Sequence, residues 1–169
     1  MYDYLLKNAT IVDGTGAAPF EGNIAIEDGS VVGVGNVSGQ AKETIDAEGA
    51  HATPGWIDVH THYDGQVSWD DTIDPSFSQG VTSIVMGNCG VGFAPCHPGG
   101  EDRLIELMEG VEDIPGTALH EGMEWGRWET IAEYLDYLGT RQFTLDVGAQ
   151  VPHSAVRNYV MGERAMRHE

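Results

Sequence analysis

A chain of 169 residues, 41% of them hydrophobic, suffices for one modest domain or parts of two, and its composition excludes disorder as the default. Eight Lys plus Arg against 27 Asp plus Glu give a formal charge of −19, which repels phosphate backbones and anionic headgroups and so excludes nucleic acid and membrane surfaces as partners. No run approaches the ~20 apolar residues of a membrane span, and Met1-Tyr2-Asp3-Tyr4 lacks a basic start followed by an apolar core, so a cytoplasmic protein is expected.

Short strands are expected first, at residues 4–6, 9–12, 23–26, 31–34 and 44–47. Asp28-Gly29 between two apolar runs predicts a tight hairpin, because Gly accepts the positive φ that a two-residue reversal requires, and Asp13-Gly14-Thr15-Gly16 predicts another reversal. Residues 1–54 thus read as an all-β subdomain that serves as scaffold.

Thr53-Pro54-Gly55 is a break, after which Trp56-Ile57-Asp58-Val59 reads as an apolar strand running into His60-Thr61-His62. A second buried strand, residues 80–87, leads into Asn88-Cys89-Gly90. Helical spacing follows in residues 102–112, with Leu104, Leu107, Met108 and Val111 on one face, and in residues 128–138, with Trp128, Ile131, Ala132, Leu135 and Leu138. Thr130 and Glu133 have the spacing of a capping box, and Gly139 suits the helix stop. A third strand over residues 143–151 ends in Pro152-His153-Ser154, and a short helix over residues 156–166 follows. Strands alternating with helices over residues 55–169 predict a parallel βα arrangement, with ligand sites at the carboxyl ends of the strands. Three strands are fewer than the eight of a TIM barrel of about 250 residues, so the barrel is expected to be incomplete.

In a strand, positions i and i+2 share a face, so His60 and His62 are expected to project together with Asp58 beneath them. Two neutral imidazoles so placed suit a zinc ion, with the carboxylate orienting a ligand. Cys89 reads either as a small buried hydrophobe or as a thiolate ligand in a loop whose glycines allow close approach. Cys96, followed by His97-Pro98, reads as a loop residue without a metal role, and the two cysteines make neither a disulfide framework nor a CxxC pair. His153 stands at a strand end, where it contacts substrate or bonds a loop carbonyl. His51, His120 and His168 read as solvated, and the adjacent Glu112 and Asp113 do not face each other as a general acid and base would. There is no Gly-x-Ser-x-Gly elbow and no phosphate-binding Gly-x-x-x-x-Gly-Lys-Ser/Thr loop.

Taken together, the segment from Thr53 through His60-Thr61-His62-Tyr63-Asp64 resembles the first-strand signature of the amidohydrolase superfamily. Gly87-Asn88-Cys89-Gly90-Val91-Gly92-Phe93-Ala94-Pro95, Glu109-Gly110-Val111-Glu112-Asp113-Ile114-Pro115 and Val151-Pro152-His153-Ser154-Ala155-Val156-Arg157 resemble its N-acyl-D-amino-acid deacylase branch. The resemblance implies an α/β fold: a small β-sandwich subdomain over residues 1–54, then the first strands and helices of an incomplete TIM-like (β/α)8 metal-dependent hydrolase barrel over residues 55–169. It makes His60, His62 and Cys89 ligands of one or two zinc ions. The implied reaction is hydrolysis of a small-molecule N-acyl-D-amino acid to a carboxylate and a D-amino acid. Further histidines and the catalytic aspartate come from later strands in that family, so no catalytic residue is assigned here and the 169 residues alone are expected to be inactive. Two alternatives stand beside this reading: a cyclic amidase of the hydantoinase or dihydropyrimidinase kind, and a non-catalytic metal-binding module whose open barrel self-associates.

Overall fold

In the computed structural model, residues 1–112 and 114–167 are described, the side chains of Glu112 and Met166 excepted; the Glu112–Asp113 pair and His168 therefore lie outside the described residues. The chain divides into two compact units, Met1–Pro54 and Gly55–Glu169. Among the described residues no helix is long and apolar enough to cross a membrane.

The first unit is one five-stranded sheet rather than two facing layers. Its strands are β1 (Tyr2–Ile11), β2 (Phe20–Glu27), β3 (Ser30–Gly35), β4 (Ala41–Asp46) and β5 (His51–Ala52). The order is β3-β2-β1-β4, with β5 also on β1; β2 runs antiparallel to β1 and β3, while β4 and β5 run parallel to β1. Asp28 and Gly29 form the β2–β3 turn with φ of 49° and 71°, the paired positive values of a two-residue hairpin whose twist matches its strands. The backbone N–H of Asp28 donates to the Asp3 carboxylate at 2.7 Å, and Lys42 Nζ meets the other Asp3 oxygen at 2.5 Å. These contacts, Lys42 first, hold the Asp3 carboxyl below its ordinary range.

The second unit is a parallel three-stranded sheet, β6 (Trp56–Asp58), β7 (Val81–Met86) and β8 (Asp146–Ala149), in that order. The first and third strands are shorter than their sequences suggest, and residues 59–80 carry two short 3-10 turns instead of a crossover α-helix. Among the described residues three α-helices lie between β7 and β8: α1 (Glu101–Glu112), α2 (Gly116–Gly122) and α3 (Ile131–Leu138), of which α2 has no counterpart in the apolar spacing. Helix α4 (His153–Met161) follows β8 and begins earlier than expected, directly after Pro152; Gly162, at φ 55°, ends it and a 3-10 turn continues to Met166.

The core gathers Ile84 and Met86 of β7, Leu104, Ile105 and Met108 of α1, and Phe93 and Leu119 into one buried cluster. Trp128 is buried next to Tyr134 and Tyr137, its ring centroid 4.9 and 5.1 Å from theirs, and its indole N–H donates to the Phe93 carbonyl at 2.9 Å. The buried face of α3 is therefore Tyr134, Tyr137 and Leu138, while Leu135 and Ala132 face solvent. An amphipathic tyrosine offers more area to bury than leucine and keeps a polar handle. Here the Tyr134 hydroxyl donates to the Asp64 carbonyl at 3.0 Å. The Thr130–Glu133 capping box is complete, each side chain bonding the other's backbone N–H.

Candidate metal centre

Strand β6 ends at Asp58, so His60 and His62 lie in the bend and loop beyond it, not within a strand. Their rings nonetheless come together, with centroids 5.4 Å apart and planes inclined by 58°. The Oδ1 of Asp58 accepts the backbone N–H of His60 at 3.1 Å, which fixes the bend.

Strand β7 delivers Cys89. After Met86 the chain turns through Gly87 (φ 80°), and Cys89 itself adopts a left-handed backbone (φ 54°, ψ 11°) before Gly90 (φ 77°). A Cβ at Gly87 would collide with the backbone of Gln150, so only glycine lets β7 leave the sheet so close to the end of β8. The turn exposes Cys89, which removes the reading of a buried hydrophobe. Its Sγ lies 3.4 Å from His60 Nε2, and one donor atom from each of His60, His62 and Cys89 lies within 4.8 Å of the others.

The donor chemistry fits zinc. Two imidazole nitrogens and one thiolate are among its preferred ligands, and bonds of about 2.0–2.3 Å in a tetrahedron place ligand atoms roughly 3.3–3.8 Å apart. The Cys89–His60 separation already has that length.

Asn88, buried at 8% exposure, is the residue that sequence reasoning passed over. Its Nδ2 donates to the carbonyls of Thr61 (3.3 Å) and Val85 (2.8 Å), and its Oδ1 accepts from Gln150 Nε2 at 3.1 Å. The Val85 carbonyl also receives the backbone N–H and the hydroxyl of Thr61. A polar side chain beside a candidate ligand at the end of an apolar strand was the available signal.

Other histidines are placed elsewhere. His153 opens α4, and a Cβ at Gly90 would stand 3.4 Å from the His153 Cβ, so His153 borders the Cys89 turn without joining the three-residue cluster. His120 is not simply solvated, since its Nε2 meets Asp102 at 3.1 Å. His97 stacks on Tyr159 and bridges the Glu129 carboxylate and the Tyr159 carbonyl. Cys96 is buried, and desolvation, reinforced by Glu101 and Glu129, pushes its thiol up to about 11.

A parallel sheet with histidines and a cysteine gathered at its strand ends defines a class. Residues 43–169 match the Amidohydrolase family, and the chain belongs to that family. Within it the chain is similar to D-aminoacylase. It is 30% identical over 161 residues to the enzyme of Alcaligenes xylosoxydans xylosoxydans, covering 95% of this chain and 31% of that one. A solved D-aminoacylase, studied for the role of its binuclear metal center, aligns with a TM-score of 0.78 at 31% identity over 96% of this chain and 32% of that one. N-acyl-D-glutamate deacylase from Bordetella bronchiseptica, complexed with zinc and a phosphonate mimic of the tetrahedral intermediate, aligns with a TM-score of 0.69 at 28% identity, again covering 96% and 32%. The chain spans about a quarter to a third of the length of the curated relatives it matches.

Proposed function

We propose that the protein carrying this chain is a zinc-dependent amide hydrolase that converts N-acyl-D-amino acids to a carboxylate and a free D-amino acid. The observation that carries this reading is the convergence of His60, His62 and Cys89 at the carboxyl ends of parallel strands. The two histidines and the cysteine hold one or two zinc ions. When bound, zinc supplies Lewis acidity toward an amide carbonyl and toward water. The chain's own part is to set the donors: Asp58 holds the His60 bend, and the glycines around Cys89 turn its thiol toward the imidazoles. The D-amino-acid substrate class is supported by similarity to D-aminoacylase and to the D-glutamate deacylase.

In the same reading, β6, β7 and β8 with their helices are the opening part of a (β/α)8 barrel over residues 55–169, and the sheet of residues 1–54 is one layer of a small β-sandwich. Among the described residues no carboxylate joins the metal-holding group. In the same reading residues 1–169 alone are inactive, as the resemblance to the deacylase branch implies. With Trp56 and Ile57 of β6 61% and 66% exposed, they self-associate at the open sheet edge.

The test is an assay of the whole zinc-loaded protein on N-acetyl-D-methionine, N-acetyl-L-methionine and hydantoin. Release of D-methionine alone is expected. Ring opening of hydantoin without deacylation would replace the proposal by a cyclic amidase, and no turnover of any of the three would overturn it.

A further inference from the structure

We propose that Asn88 is the positioning residue of the metal centre, tying three strand ends together so that the donors meet; the inference rests on the zinc reading above. Its side chain reaches the exits of all three strands of the second sheet: Thr61 beyond β6, Val85 near the end of β7, and Gln150 directly after β8. Thr61 stands between His60 and His62, and Asn88 immediately precedes Cys89, so displacement of this one amide moves all three donors relative to one another.

The site demands an amide. The NH2 end supplies donors to both the Thr61 and the Val85 carbonyl, the latter shared with two donors of Thr61, while the Gln150 NH2 finds its acceptor at the other end. Leucine would match its size without any of the three bonds, and aspartate would set an oxygen against two carbonyl oxygens. Because the group is buried, cutting the side chain back removes bonds that fix the geometry in a setting shielded from solvent. Cys89 holds a left-handed backbone that a non-glycine residue adopts only when its surroundings enforce it, and the Asn88 bonds supply that enforcement from the adjoining position. Losing such supporting contacts costs a metal site about 10- to 100-fold in affinity.

The experiment titrates the purified protein with cobalt(II), reading the thiolate-to-cobalt charge-transfer band and the dissociation constant, in wild type, Cys89→Ser, Asn88→Ala, Gln150→Ala and Thr130→Ala. The last removes the remote helix cap and reports what general destabilisation does. The expected result is a band in wild type that Cys89→Ser abolishes, affinity about 10- to 100-fold weaker in Asn88→Ala, and wild-type affinity in Thr130→Ala. Equal affinity in Asn88→Ala and wild type, or equal losses in Asn88→Ala and Thr130→Ala, would overturn the positioning role and leave the ligand assignment standing. Absence of the band from wild type would overturn the ligand assignment and the positioning role with it. Should Asn88→Ala fail to fold, Gln150→Ala decides: it breaks one of the three bonds, and a several-fold weaker constant supports the role whereas an unchanged one overturns it.

Discussion

The Sγ of Cys89 lies 3.4 Å from Nε2 of His60, across 29 positions of sequence, and Cys89 reaches it with a left-handed backbone at φ 54°. That conformation costs a side-chain-bearing residue about 1–2 kcal/mol and is free to glycine, whose own conformational entropy offsets about half of the gain. Cys89→Gly should therefore leave the metal-free protein as stable as wild type or up to about 1 kcal/mol more stable, while zinc affinity drops sharply. Thermal unfolding with chelator, beside zinc titration, separates the two effects; loss of stability in the metal-free variant would contradict the strain argument.

The two cysteines should differ in reactivity. Cys89 is exposed, whereas Cys96 is 6% exposed and its thiol is pushed up to about 11. Thiolate is the nucleophile, so with zinc removed by a chelator iodoacetamide near neutral pH should alkylate Cys89 alone, and Cys96 only after unfolding. Peptide mass mapping after a short reaction reads this, and labelling of native Cys96 at the same rate as Cys89 would refute it.

Alkaline pH should weaken the fold. Burial raises the Cys96 thiol from 9.0 to about 11, and burial, with Asp64 and Tyr137 adding to it, holds the Tyr134 phenol well above its ordinary value. Both groups release protons more readily in the unfolded chain, so their contribution is complete below the unfolded values and is lost as pH rises toward the folded ones. Urea midpoints should fall between about pH 9 and about pH 11. Cys96→Ala should make that fall shallower without abolishing it, since Tyr134 remains; an unchanged slope would count against the thiol's part.

Trp128 anchors the second core. It packs on Tyr134 and Tyr137 and donates to the Phe93 carbonyl. Trp128→Ala should cost about 3–5 kcal/mol in a denaturant titration, against under about 0.5 kcal/mol for Leu135→Gln on the exposed face of α3. Similar costs at the two positions would mean that the faces of α3 are wrongly assigned.

Local chemistry was legible in the sequence where a residue type leaves one conformational option. Asp28-Gly29 makes its hairpin, and Thr130 and Glu133 make their cap. The structure brings His60, His62 and Cys89 together; the residues alone left Cys89 open between a buried hydrophobe and a thiolate ligand, and its place beside the histidines was what the resemblance implied. The shared strand face argued for His60 and His62 missed the bend after Asp58, because that bend is set by the Asp58 carboxylate and by Thr61 bonding Val85, 24 positions away. The buried face of α3 was misread because tyrosines there find partners, Trp128 and the Asp64 carbonyl, that only the fold brings near. Asn88 has three partners at 27, 3 and 62 positions' distance, and its local signal, a polar residue beside a candidate ligand at a strand end, does not say which groups it bonds.

The central claim is that His60, His62 and Cys89 bind one metal together. Zinc K-edge X-ray absorption on the purified protein tests it most directly. One sulfur scatterer at about 2.3 Å with nitrogen scatterers at about 2.0–2.1 Å is the predicted shell, and Cys89→Ser should remove the sulfur. A zinc shell of oxygen and nitrogen alone in the wild type, or a sulfur that persists in Cys89→Ser, would contradict it.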